Sequence, residues 1–130
     1  MSGLDAALAL AASWLALGAA ALSAPHSARL PSRVLYPAGA AVGLLVALVG
    51  LHAMSAPAAS RTLPLGLPDL PFHVRLDALS GFFLFLLGAV SAGVSVFAAG
   101  YFRTSRLGVP GLQCLAYHAF LASMALVLLA

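Results

Sequence analysis

The sequence predicts an all-α integral membrane protein of about four transmembrane helices, with its N-terminus outside, forming part of a larger polytopic bundle. Three observations carry this. Charged residues are 7% of the 130 positions and hydrophobic residues 63%, where an ordinary soluble domain has roughly 25% charged residues. The mean hydropathy is +1.09. The apolar residues fall into four uncharged stretches, each near the roughly 20 residues that a bilayer-spanning helix needs. So few charges cannot keep a chain of this size dispersed in water, and lipid is the solvent that fits.

The first helix is expected over 1–24, where AALALAASWLALGAAALSAPHSA runs between Asp5 and Arg29 and is closed by Pro25. A cleaved signal peptide is the competing reading, because Ser23–Ala24–Pro25 is a small-residue exit. A signal peptide wants a positive start, however, and the only early charged side chain is Asp5. A cytoplasmic loop is expected over 25–33 and a second helix over 34–54, fading at Pro57. An ordered outer loop with an extended segment covers 55–77. The third helix covers 78–102, a second cytoplasmic loop 103–110, and a fourth helix 111–130.

Arginine placement sets the orientation. Arg29 and Arg33 lie in the first loop, and Arg103 and Arg106 in the third. These two loops share a side if all four spans are real, and their charge density makes that side cytoplasmic. Arg61 and Arg75 in the outer loop are accompanied by Asp69 and Asp77. The third helix carries Phe82, Phe83 and Phe85 near its outer end and Phe97, Tyr101 and Phe102 near its inner end. Such belts, about 20 Å apart along a helix, match two membrane interfaces.

Small residues mark the packing faces. Gly39, Gly43, Ala47 and Gly50 recur at helical spacing on the second helix, as do Gly88, Ala92, Ser95 and Ala99 on the third. In lipid, such stripes let helix backbones approach closely. In the outer loop, Pro64, Pro68 and Pro71 forbid a helix. Phe72, Val74 and Leu76 then alternate with His73, Arg75 and Asp77, the period of a strand with one buried face. The segment is expected to lie against the bundle, where it could pair with another part of a larger protein.

Little here can carry chemistry. His118 is an ionisable residue inside a span and thus a possible proton relay, beside the plainer reading of a histidine bonded to a neighbouring helix. Asp77 stands where an N-cap would, with Arg75 able to pair with it. His52 ends the second helix, and His26 and His73 lie in loops on opposite sides. No histidines have ligand spacing, so no metal site is expected. Cys114 is alone, which excludes an internal disulfide and reads as a packing residue. The six arginines form no basic patch that would suit nucleic acid. No phosphate loop, nucleophile elbow or carboxylate pair is present, so neither a cofactor nor a catalytic centre is expected within the chain.

The segment LPFHVRLDALSGFFLFLLGAVSAGVSVFAAGYFR resembles the start of the shared region in antiporter-like subunits of proton-pumping complexes. That family includes subunits of respiratory complex I, Mrp-type cation/proton antiporters and energy-converting hydrogenases. The R-L-D-A-L-S opening of a helix, the G-Y-F-R exit and the later L-A-S-M-A-L-V-L-L-A run carry the resemblance, over about Leu63 to Ala130. The wording is most similar to hydrogenase-4 component B.

The resemblance implies proton or cation translocation across the inner (plasma) membrane by an oxidoreductase complex. Its implied partners are the bilayer, other membrane subunits of an ion-pumping complex and the remainder of a longer chain. The family's proton path uses Glu, Lys and His residues on later helices, so its carriers do not map onto this sequence. Asp77 matches the family's helix-opening aspartate, and His118 falls where relatives often have some polar residue. The apolar run MALVLLA at the end points to a truncated N-terminal portion that acts as scaffold. The alternatives are a subunit of an Mrp-type antiporter without redox partners and a short structural membrane protein without transport.

Overall fold

The computed structural model describes residues 1–104 and 108–130. It contains four long helices, α1 (Gly3–Ala20), α2 (Tyr36–Ala53), α3 (Ala78–Thr104) and α4 (Pro110–Leu129). All four are long and apolar enough to cross a membrane. Two strands, β1 (Ala59–Leu67) and β2 (Leu70–Leu76), lie between α2 and α3.

Helix α1 opens on a capping box. Ser2 Oγ accepts from the Asp5 N–H at 3.1 Å while Asp5 Oδ2 accepts from the Ser2 N–H at 3.3 Å. This satisfies donors that a helix start otherwise leaves open. A short 3-10 turn, Ala21–Ser23, ends the helix. The path into α2 is already helical from Arg29 and passes through a π-turn, Pro31–Leu35. The loop expected over 25–33 is therefore shorter. Pro31 suits a helix start because its missing N–H is not needed there.

The buried faces repeat in steps of three and four. Leu4, Ala7, Ala11, Trp14 and Gly18 form that of α1. On α3 the seam contains Gly81, Leu84, Gly88, Ser91, Ser95 and Ala98, and on α4 it contains Gly111, Cys114, His118, Leu121 and Ala125. This is the heptad spacing of left-handed helix packing. Helix α2 packs mainly on α3, and α1 on α4. Outward faces carry Leu44, Leu48, Val90, Val96, Phe97, Phe120 and Val127, the surface that a bilayer would solvate.

The α2–α3 contact is backbone against backbone. A Cβ at Gly43 would lie 2.6 Å from Ser91 Oγ, one at Gly88 2.5 Å from the Gly43 carbonyl oxygen, and one at Gly50 2.6 Å from the Gly81 carbonyl oxygen. Ala47 and Ala92 are buried in the same seam.

The loop over 55–77 is a hairpin. Strand β2 pairs antiparallel with β1, from Ala59 opposite Leu76 to Leu67 opposite Leu70, around a turn at Pro68–Asp69. The register is irregular between Leu63 and Gly66, where Pro64 has no N–H to give the ladder. The strand partner is thus the first half of the same loop, and the all-helical expectation needs this two-stranded addition. Val74 and Leu76 are buried against α1 and α4 residues, as the alternation implies. Phe72, nearer the hairpin turn, is not: it is 38% exposed. Asp5 and Arg61 form an ion pair that ties the hairpin to α1.

Candidate functional site

Among the described residues, the buried polar side chains of the bundle are Ser32, Ser91, Ser95 and His118. The last three lie in one region between α2, α3 and α4, together with Tyr36, Cys114 and Tyr117.

The heptad seam of α4 turns His118 fully inward. Its Nδ1 lies 2.9 Å from the Cys114 carbonyl oxygen and 3.4 Å from Cys114 Sγ. A carbonyl oxygen only accepts, so Nδ1 carries the proton and Nε2 presents its lone pair. That Nε2 is buried with no hydrogen-bond partner. It faces Gly39 of α2, where an added Cβ would lie 2.5 Å away. The Gly39 carbonyl oxygen in turn accepts from Trp14 Nε1 at 3.3 Å, joining α1 to the same spot.

Beside it, the Tyr117 hydroxyl donates to the Ser91 carbonyl oxygen at 3.1 Å. With its single proton so used, the hydroxyl 2.9 Å away on Ser95 is the donor of their shared bond. This links α4 to α3. Tyr36 completes the cluster, with its ring stacked on Phe102 at 5.3 Å and tilted against Tyr117 and His118 at 5.7 Å each. Phe102 therefore faces inward onto Tyr36 rather than forming part of an outward belt. Phe97 and Tyr101 do face outward, stacked on each other.

The arrangement can hold one neutral imidazole with a free acceptor, in a packed apolar surround. The imidazole's ionisable neighbours are the Cys114 thiol and the Tyr36 and Tyr117 phenols, and the described residues place no carboxylate beside it with which to pass a proton along. Every carboxylate side chain of the sequence (Asp5, Asp69, Asp77) belongs to the hairpin end of the molecule.

At that end, Asp77 Oδ1 accepts from the Ser80 N–H at 2.9 Å and from Ser80 Oγ at 3.1 Å. Arg75 Nε lies 3.5 Å from Asp77 Oδ2. The Ser80 N–H bond, more than the nearby guanidinium, holds the Asp77 carboxyl below its ordinary range. His73 Nδ1 is 3.0 Å from Thr62 Oγ1 across the strands, and His52 lines a small cleft with Gly3, Leu4 and Pro57. Of the small residues marked in the sequence, Gly43, Ala47, Gly50, Gly88 and Ala92 lie in the α2–α3 seam. Gly39 and Ser95 instead meet α4, and Ala99 is buried near the Tyr36 cluster. Arg29, Arg33 and Arg103 line one pocket at the end away from the hairpin. Arg106 lies outside the described residues. No motif in the sequence marks Trp14, Tyr36 and Tyr117 as parts of one cluster; the buried-seam spacing of Trp14 and Tyr36, and the place of Tyr117 beside His118, are the signals that would have found them.

No family model matches the chain. Over 69 residues, 52% of this chain, it is 42% identical to an uncharacterized protein of Mycobacterium tuberculosis strain CDC 1551 / Oshkosh, and equally to one of strain ATCC 25618 / H37Rv. The matched region spans 10% of the length of each of these relatives.

Proposed function

We propose that this chain is the N-terminal scaffold portion of a proton- or cation-translocating membrane subunit, in an oxidoreductase complex of the hydrogenase-4 and complex I kind. In this reading its helices span the inner (plasma) membrane, with the hairpin outside and the Arg29, Arg33 and Arg103 end in the cytoplasm. It binds the remainder of its own longer chain and the complex's other membrane subunits. No redox or catalytic centre belongs to this portion.

The observation that carries the reading is the Arg75–Ser80 junction, where the segment with the family resemblance opens α3. There the R-L-D-A-L-S residues make a cap and an ion pair that fix how the hairpin enters the helix. The scaffold role is supported by the bundle interior, where the described residues bury one histidine and no carboxylate. A relay needs groups within hydrogen-bonding reach of one another. His118 reaches only Cys114 through Nδ1, and its Nε2 meets no onward partner, so it is read as a packing residue.

The test deletes the gene for the full-length protein and follows donor-driven acidification of inverted membrane vesicles. Loss of acidification, restored by the wild-type gene, supports the reading. Unchanged acidification overturns it. A sodium-dependent growth defect with redox activity intact would favour the antiporter without redox partners.

A further inference from the structure

The end of the bundle opposite the hairpin carries a pocket lined by Ala28, Arg29, Ser32, Arg33 and Arg103, with a volume of about 190 Å³. Arg29 and Arg33 come from the start of the α2 path, four residues apart and so on one face. Arg103 comes from the last turn of α3. Three permanently charged guanidinium groups thus line one cavity from two elements.

No carboxylate side chain of this sequence can neutralise them. Asp5 pairs with Arg61 and Asp77 with Arg75 at the hairpin end, and Asp69 sits at the hairpin turn. The hydroxyl of Ser32 is engaged with the Ala28 carbonyl oxygen at 2.6 Å. Cations held together repel one another, and an anion between them removes that cost. Guanidinium forks match phosphate oxygens in pairs.

The surroundings show what kind of phosphate. Apolar side chains are exposed at the same end of the bundle: Val34, which follows Arg33, is 54% exposed, and within two turns of Arg103, on another face of α3, Phe97 and Tyr101 are 71% and 51% exposed. Their rings stack with centroids 5.9 Å apart. At 27 residues, α3 is about 40 Å long and overruns the roughly 30 Å hydrocarbon core. Arg103 at its end therefore reaches headgroup depth while Phe97 remains at the acyl boundary. A charged cup at the end of helices whose outward faces are apolar fits an amphiphile better than a free ion.

We propose that Arg29, Arg33 and Arg103 form a binding site for the phosphodiester headgroup of an anionic phospholipid. The assignment rests on the membrane reading above and is independent of transport.

The full-length protein, reconstituted in nanodiscs of phosphatidylcholine with a minor share of phosphatidylglycerol, tests it by native mass spectrometry of retained lipid. Phosphatidylglycerol is expected to be retained preferentially. Arg33→Gln and Arg103→Gln should each weaken retention about fivefold, the effect of one basic side chain near a membrane surface. Arg33→Lys should restore part of it, and Arg61→Gln, at the hairpin end, should change nothing. Equal retention in the Gln variants would overturn the site. So would inorganic phosphate that stabilises the detergent-purified protein through Arg33 when phosphatidylglycerol does not, because the ligand would then be a soluble phosphate. Carbonate washing of membranes is run alongside. Protein that washes off overturns the membrane reading as well, whereas protein that stays but shows no lipid preference overturns the lipid site alone.

Discussion

The imidazole of His118 on α4 fits because position 39 on α2 has no side chain: a methyl group at Gly39 would stand 2.5 Å from Nε2. Gly39 also receives the Trp14 indole N–H through its carbonyl oxygen. Three helices therefore meet at one glycine, and the fit can be tested from both sides.

Gly39→Ala should destabilise the full-length protein in detergent by about 1–3 kcal/mol, the usual cost of overpacking. His118→Ala made in the same chain should recover part of that loss. Thermal unfolding of the two single variants and the double variant measures the coupling, expected to exceed about 0.5 kcal/mol. Strictly additive losses would show that the two positions do not touch.

Larger side chains in the α2–α3 seam should act more severely, because they meet backbone rather than a movable ring. Gly43→Leu and Ala92→Leu should each sharply reduce the yield of assembled complex from membranes. Unchanged yield of both would count against this packing.

Tyr117→Phe removes the hydroxyl that joins Ser95 to the Ser91 carbonyl oxygen. Hydrogen bonds between membrane helices average about 0.6 kcal/mol and reach about 1.7. The loss should fall in that range, and Ser95→Ala should cost nothing further in the Phe background.

Asp77 provides a pH dependence with a defined sign. Its carboxyl is held low by the Ser80 N–H first, then by the Ser80 hydroxyl and Arg75. A depressed carboxyl contributes stability that is present above the unfolded value of about 3.9. That contribution is lost as pH falls through the lower folded value. The amides of Ser80 and Gly81 should therefore exchange faster with solvent as the medium is acidified below that range, and Asp77→Ala should show fast exchange at every pH. Wild-type protection that persists unchanged in the Ala variant would remove Asp77 as the cap.

Much of this architecture is legible in the residues, for a physical reason. Spans are set by apolar length, and a stripe such as Gly43 to Gly50 shows its purpose because only small residues permit backbone contact. The strand over Leu70–Leu76 is legible from its alternation, yet its partner is not. The Ala59–Leu67 strand contains Pro64 and a register irregularity, which erase the period of two. Long-range contacts leave no local trace either: the Asp5–Arg61 pair joins residues 56 apart. Phe102 reads as an interfacial aromatic from its depth alone, and only its angle around α3 turns it onto Tyr36.

The isolation of His118 leads to a direct expectation for coupling. In the complete complex, His118→Asn should leave the ratio of protons moved to electrons transferred near normal, because no carboxylate lies beside it among the described residues and its Nε2 has no hydrogen-bond partner. A collapsed ratio with normal assembly would make it a relay.

The central claim is that this chain belongs to a redox-linked ion pump, and affinity purification of the full-length protein from membranes tests it most directly. Metal analysis of the purified material should find iron, and nickel if the partner is a hydrogenase, in fixed proportion to the protein, together with donor-driven ion movement after reconstitution. A full-length protein that purifies without metal-bearing partners, and moves no ions when donor is added, would contradict the account.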